Sequence, residues 1–442
     1  MSNSLLLRGG RVVTMDASRR VVNADVLVEG NRIKKLGQAI RPSGRPAVLD
    51  CRGLAILPGL IQAHIHLCQT LFRGLADDLS LEAWLAQRIW PLEAAHTEAS
   101  IHASAMLGAA ELLLGGTTAI LDMETVRHTA AAFEALESIG IRATAGKCLM
   151  DSPTSPASLR ESTDAALTES ADLCAKWHGA AGGRLRYCFA PRFAPSCTGP
   201  LLRAVSDLAE KSGAMMHTHA AETPLELDTV RRETGHDEIA YLDSVGISGP
   251  RAALAHCVWV DKDDIAVLAR QRTNIVHCPS SNLKLGSGIA PIPEMLAAGC
   301  RVGIGADGAP CNNRLDAFAE MRLAALIQKP RLGPDALPAA QALELATLGG
   351  ARALGLEAEI GSVEVGKCAD LIVLDLEGPH AQPDEADLVS RIVYSARAAD
   401  VRHVIVDGRV VVRDGGLKTA DVWRIRRTAN AEARRLRRAV GL

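Results

Sequence analysis

The sequence predicts an α/β protein: a (β/α)8 TIM barrel with a small β-sandwich domain built from both chain ends. Three observations carry this. Eight apolar strand candidates follow one another between residues 56 and 307, and each gap is long enough for a helix. The residues able to bind metal or move protons fall at the carboxyl ends of those candidates, where barrel enzymes keep their chemistry. A β-rich pattern opens the chain and returns near its end. A doubly wound sheet is the second choice.

Residues 5–15 read as a hairpin around Gly9-Gly10, and residues 24–33 as a second with Gly30-Asn31 as its turn. These belong to the first part of the small domain, residues 1–57. An apolar run with Ile56, Leu57, Leu60 and Ile61 reads as the first barrel strand and ends in His64-Ile65-His66. Residues i and i+2 of a strand share a face, so these two imidazoles project into one space and make half of a zinc site. The remaining strands are read at 117–122, 141–145, 185–190, 214–219, 252–256, 273–277 and 302–307. The Ala-rich stretch 100–114 has apolar residues at helical spacing. The barrel is assigned to residues 58–358. Residues 369–375 and 401–411 resume the β pattern, so 359–442 completes the small domain and adds a terminal helix from Val422 to Val440. The arginines of that helix read as a solvated face.

Composition narrows the function. Lys+Arg is 49 against Asp+Glu 51, a net charge of -2, which offers nothing to a nucleic-acid backbone. No run of about 18 apolar residues suggests a membrane span. The 11 cysteines are odd in number, scattered and without a CxxC pair, and the first residues lack a signal-peptide layout. A cytoplasmic protein with free thiols is expected.

The strand ends carry the chemistry. Strand five ends in His217-Thr218-His219 followed by Ala220-Ala221-Glu222, strand six in His256, strand seven in His277 and strand eight in Asp307. Three imidazoles and one carboxylate suit a divalent ion with one position left for water. Water on such an ion is a nucleophile near neutral pH. It needs a proton acceptor that later donates, and Glu222, three residues past His219, is placed for that. Its structural alternative is a first-turn helix glutamate. Residues 303–308 match GxGxxG, but Pro310 and Asn312-Asn313 follow where a dinucleotide site needs a helix. No GxSxG appears, nor the HxE with PCxxC of cytidine-type deaminases.

These stretches resemble the amidohydrolase superfamily, in its branch of S-adenosylhomocysteine/5'-methylthioadenosine deaminases and chlorotriazine hydrolases. The likeness spans nearly the whole chain and rests on Leu57-Pro58-Gly59-Leu60 with His64-Ile65-His66, on residues 71–79 with Glu82 and Trp84-Leu85, and on His219-Ala220-Ala221-Glu222. It continues through Ala255-His256-Cys257, residues 277–286, Asp307-Gly308-Ala309 with Asn312-Asn313, and residues 361–371. The resemblance implies one metal, zinc or iron, on His64, His66, His219 and Asp307. Glu222 would pass a proton from the water to a ring nitrogen, His256 would steady the attack, and Asp307 would also accept a proton. Two-metal relatives carry a lysine on strand four, and residues 185–190 contain none.

Substrate readers follow from the same likeness. Glu93, in Pro91-Leu92-Glu93, stands where adenosine-type deaminases hold ribose hydroxyls. Lys147 stands where they tend to show arginine, and Arg192 where they tend to show histidine. Arg192 with Gln69 is similar instead to guanine deaminases, where such groups read the base. Trp84 and Trp90 read as helix packing. The expected reaction is loss of the exocyclic amine of a purine nucleoside such as 5'-methylthioadenosine, S-adenosylhomocysteine or 5'-deoxyadenosine. The alternative is a free guanine or pterin, or a triazine. An amide-ring hydrolase would favour the two-metal lysine, and a non-catalytic barrel would be expected to lose Glu222. The partner is a small heterocycle, with no nucleic acid and no membrane, and the family habit is a homo-oligomer, a dimer or tetramer.

Overall fold

A computed structural model describes residues 4–442. Strands β1 (Ser4–Val13), β2 (Val21–Glu29), β3 (Arg32–Gly37), β4 (Ala47–Asp50) and β5 (Ala55–Pro58) open the small domain. The barrel strands are β6 (Leu60–His66), β7 (Thr117–Met123), β8 (Arg142–Gly146), a two-residue β9 (Cys148–Leu149), β10 (Leu185–Pro191), β11 (Met215–Ala220), β12 (Ala252–His256), β13 (Asn274–His277), β14 (Arg301–Ile304) and β15 (Asp307–Gly308). The chain then returns to the small sheet as β16 (Leu371–Leu374), β17 (Val401–Val406), β18 (Arg409–Arg413) and β19 (Gly416–Leu417).

The barrel ring runs β14-β13-β12-β11-β10-β8-β7-β6-β15, all parallel. Strand eight is split. Arg301–Ile304 pairs with β13, while Asp307 and Gly308 pair with Ile65 and His66 of β6 and close the ring. Six barrel strands send apolar side chains such as Ile61, Leu121, Met215, Ala253 and Val276 into one inner cluster. A larger cluster fills the layer between strands and helices and includes α1 (Glu98–Leu114). Thr97 caps α1 by accepting from Ser100 N while Ser100 Oγ accepts from Thr97 N, a reciprocal cap worth about 1 kcal/mol.

The small domain is one nine-stranded sheet drawn from both ends of the chain. Its side chains alternate: Leu371, Val373 and Ile405 enter its own core, while Ile372, Leu374, Val404 and Val406 face the barrel cluster. Two sequence expectations need correction. The hairpin at Gly9-Gly10 is a single strand, and its register shifts between Leu7 and Gly10 as a bulge around Gly9 at φ +74°. The apolar run through Ile56 and Ile61 is two strands in two sheets, divided at Gly59. A Cβ there would lie 2.0 Å from Thr118 Oγ1, so the chain can cross from one sheet to the other only without a side chain. Gly30-Asn31 does form the two-residue turn between β2 and β3.

Arg142, at the start of β8, reaches into the small domain. It donates to Asp370 through Nε at 2.7 Å and Nη2 at 3.0 Å, and to Asp407 Oδ1 at 3.0 Å, fully buried with Asp370. All the cysteines are buried and free. Among the described residues, no helix is long and apolar enough to cross a membrane.

Candidate active site

Three of the ring's strands deliver the four candidate ligands. His64 and His66 come from the end of β6, His219 from β11 and Asp307 from β15, with one donor atom of each within 4.8 Å of the others. His64 Nε2 and His66 Nε2 lie 3.2 and 3.3 Å from Asp307 Oδ1, and His66 Nε2 lies 3.1 Å from His219 Nε2. Atoms held about 2.1 Å from one tetrahedral ion would be about 3.4 Å apart.

The tautomers show what the cluster suits. His66 Nδ1 meets Met123 O at 2.8 Å and His219 Nδ1 meets Arg192 O at 2.5 Å. A carbonyl accepts, so each Nδ1 carries the proton and the two Nε2 lone pairs face each other. His64 Nδ1 bonds His217 Nε2 at 2.8 Å, and His64 Nε2 is buried with no hydrogen-bond partner. Two or three lone pairs and a carboxylate converging without a donor is an unfavourable arrangement that a cation relieves. The residues therefore fit a single divalent ion. Burial holds His64 down to about 4 and His66 and His219 below the usual imidazole range, so all three are neutral, as ligands must be. Burial would raise Asp307, but the neighbouring His64, His66 and His256 hold it well below the carboxylate range. Ser281 Oγ donates to Asp307 Oδ2 at 2.6 Å and leaves Oδ1 for the ion.

Beside this quartet, Glu222 follows β11 and His256 ends β12, with His256 Nε2 3.5 Å from Glu222 Oε2. Asn282 Oδ1 pairs with His256 Nδ1 at 2.8 Å, and Ser287 Oγ donates to Glu222 Oε1 at 2.9 Å. Burial pushes Glu222 up to about 7; the charge on His256 opposes the rise. For His256 burial pulls down, and Glu222 and Asp307 outweigh it and raise the imidazole. Ala221, His256 and Asp307 all adopt positive φ, at +52°, +73° and +62°. Non-glycine residues rarely do so, and such backbone strain clusters at ligand-binding turns.

These groups line one wall of a cavity of about 450 Å³. Part of its lining comes from residues 81–90 and from α2 (Pro224–Thr234). The first of these segments carries one π-helical turn, Leu85–Ile89, which opens a helix otherwise regular from Leu81 to Ala94.

The expected substrate readers separate. Gln69 and Arg192 line the cavity. Glu93 sits behind them. It accepts from Arg192 Nη1 at 2.7 Å and Nη2 at 3.2 Å, from Gln69 Nε2 at 2.9 Å and from Thr125 Oγ1 at 3.4 Å, which fills its four acceptor positions. Burial would raise Glu93, but Arg192 outweighs it and keeps the carboxylate low. Gln69 Oε1 is buried without a partner. Lys147 lies elsewhere: fully buried, it pairs with Glu161 and Glu169 at 2.8 Å each and donates to Val126 O. Trp84 and Trp90, read as helix packing, do join apolar clusters, yet both line the cavity with buried indole N–H groups that have no acceptor. His217 and Ser287, which the sequence reading left without a role, hold His64 and Glu222. His217 was legible as the i−2 partner of His219 on the same strand face; Ser287 comes from a loop and leaves no periodic signal.

Residues 55–411 match the amidohydrolase family. The chain belongs to the amidohydrolase family. Other family members resemble this amidohydrolase over its full length. The 5'-deoxyadenosine deaminase of Methanothermobacter thermautotrophicus is 39% identical, covering 98% of this chain and 99% of that one. The 5-methylthioadenosine/S-adenosylhomocysteine deaminase of Desulforudis audaxviator is 40% identical over the same shares. Among solved structures, an adenosine deaminase from Xanthomonas campestris with bound zinc superposes with a TM-score of 0.91 at 33% identity, covering 99% of this amidohydrolase and 98% of that chain.

Proposed function

We propose that this amidohydrolase removes the exocyclic amine of a 6-aminopurine nucleoside with a modified 5' position, such as 5'-methylthioadenosine, S-adenosylhomocysteine or 5'-deoxyadenosine. The observation that carries it is a carboxyl group poised near neutrality, Glu222, on the cavity wall beside the His/Asp quartet. The full-length likeness to deaminases of these nucleosides supports the substrate class.

The ion is taken to be zinc, with iron as the second choice; elemental analysis of active protein decides. When bound, it supplies a Lewis acid that lowers the pKa of water to near neutral. The chain's residues do the rest. Glu222 takes a proton from the attacking water and gives it to the ring nitrogen next to the amine-bearing carbon. His256 holds the attacking oxygen through Nε2. Asp307 accepts the second proton and passes it to the departing amine. The C–N bond breaks with release of ammonia, and the ring keeps the oxygen as a carbonyl.

Gln69 Oε1, buried and unpartnered, accepts from a ribose hydroxyl, and Arg192 supports it. Glu93 locks both readers in place and so acts on substrate through them. The indole N–H of Trp84 or Trp90 meets a ring nitrogen. No substrate contact is proposed for Lys147, whose ammonium is consumed by Glu161 and Glu169.

The test is ammonia release from 5'-methylthioadenosine, 5'-deoxyadenosine, S-adenosylhomocysteine, guanine and an aminotriazine. Turnover of the nucleosides is expected, and turnover of free bases or triazines alone would reverse the reading. Gln69→Ala is expected to raise KM for nucleosides about tenfold, the value of one lost hydrogen bond to a buried partner. A homo-oligomer, dimer or tetramer, remains part of this proposal and is read by light scattering.

A further inference from the structure

Glu222 stands on a turn whose backbone N–H groups are held by two further buried carboxyl groups. Glu222 N donates to Glu226 Oε2 at 2.7 Å, and Ala221 N donates to Glu238 Oε2 at 3.0 Å. The carbonyl of Ala221 accepts from Val258 N and Trp259 N at 2.9 Å each. The left-handed Ala221 is thereby gripped from both sides.

The two carboxyl groups accept from the N–H groups of consecutive residues, which brings them side by side where each acts on the other. Glu238 is 1% exposed and Glu226 is 7% exposed. Two carboxyl groups in contact away from water bond only when one of them carries a proton. Glu238 Oε1 is buried with no donor assigned to it, which is the atom such a proton would serve. Glu226 sits in the first turn of α2 and Glu238 in the first turn of α3 (Glu238–Ser244), so each helix N-terminus favours the remaining negative charge. Facing the pair are Glu222 and His256 from the cavity side, Cys257 from the turn after β12, and Asp264 from the helix Lys262–Gln271; Asp307 lies beyond Glu222. Burial raises both carboxyls, Glu238 the further.

We propose that Glu226 and Glu238 form an acid–carboxylate pair, one proton between two carboxyl groups, that holds the Ala221–Glu222 backbone and aims the Glu222 side chain into the cavity. Glu238 is a positioning residue: it touches no substrate and acts through Glu222. The proposal rests on the role given to Glu222 above.

The experiment compares kcat, KM and metal content of metal-loaded Glu238→Ala, Glu238→Gln, Glu222→Gln and the double variant Glu222→Gln/Glu238→Ala, with 5'-methylthioadenosine as substrate. Glu238→Ala is expected to lower kcat at least tenfold with KM within twofold and metal content intact. Glu238→Gln restores most of kcat, because an amide N–H replaces the acid O–H toward Glu226 and its oxygen still accepts from Ala221 N. In the Glu222→Gln background, Glu238→Ala adds no further loss. Unchanged kcat in Glu238→Ala overturns the proposal, as do equal losses in the alanine and glutamine variants, or losses that multiply in the double variant. If Glu238→Ala yields no folded protein, Glu238→Asp withdraws the carboxyl from Ala221 N and is expected to cut kcat in the same way; wild-type kcat there overturns the pair. Full activity in Glu222→Gln defeats the reading of Glu222 itself, whereas an inert Glu222→Gln beside an unaffected Glu238→Ala defeats the pair alone.

Discussion

At the scale of single residues, Glu222 decides the chemistry and its pH dependence. Its carboxylate must be free to take the first proton. Burial has raised it to about 7, so kcat/KM is expected to fall as pH drops below about 7. The neighbouring His256 opposes that rise. Removing its charge with His256→Gln should therefore move the acid limb to higher pH, besides lowering kcat, and a pH–rate profile measures both. A limb that stays in place would separate His256 from the titration of Glu222. These residues were readable in the sequence because strand geometry exposes them: His64 and His66 share a face, and His219 and Asp307 end their strands. Lys147 misled for a physical reason. The resemblance put it where adenosine-type deaminases tend to show arginine, yet its partners Glu161 and Glu169 lie on later segments that no local pattern connects to it. Glu93 shows the same limit. Its position in the chain is informative, but its four filled acceptor positions appear only once Arg192, 99 residues away, is placed beside it.

At the scale of elements, the barrel was legible because each strand is an apolar run bounded by turn signals, and a period of that kind survives without tertiary context. The small sheet was harder. Gly9-Gly10 satisfies the local rule for a hairpin, and pairing of Leu5–Arg8 with β4 and of Arg11–Val12 with β5 overrides that rule. Gly59 likewise reads as part of one strand, although it separates two sheets. Besides the apolar face of the small sheet, Arg142 supplies a buried polar link between those sheets. Arg142→Ala leaves the buried Asp370 carboxylate without its guanidinium, beside the partly exposed Asp407, and a cost of about 3–5 kcal/mol is expected. Chemical denaturation reads this loss. Metal content and KM should be unchanged, since Arg142 lies at the amino end of β8, opposite the catalytic face.

At the scale of the whole molecule, metal loading and stability are coupled. An ion that binds the folded chain at 1,000 times its Kd stabilises it by about 4 kcal/mol. Chelation is therefore expected to abolish turnover and lower Tm together, and added zinc should restore both; scanning calorimetry with and without chelator checks this. The C-terminal helix α4 (Val422–Ala439) buries Ile425, Ala429 and Leu436 and turns its arginines outward, as its sequence pattern suggested, except Arg435, which is half-buried and donates to Ala95 O and Thr97 Oγ1 at 3.4 Å. It rests on α1 and on the residues just after β6, so the last element of the chain braces the loop that follows the first two ligands.

The split eighth strand gives this architecture a latch. Asp307 supplies both the backbone that joins the ends of the ring and the carboxylate that completes the donor set. An intact circumference and a competent centre are thus one condition rather than two. Until residues 307–308 pair with β6, the three imidazoles stand without their counter-charge, so weaker cation binding is expected before the far side of the barrel has folded.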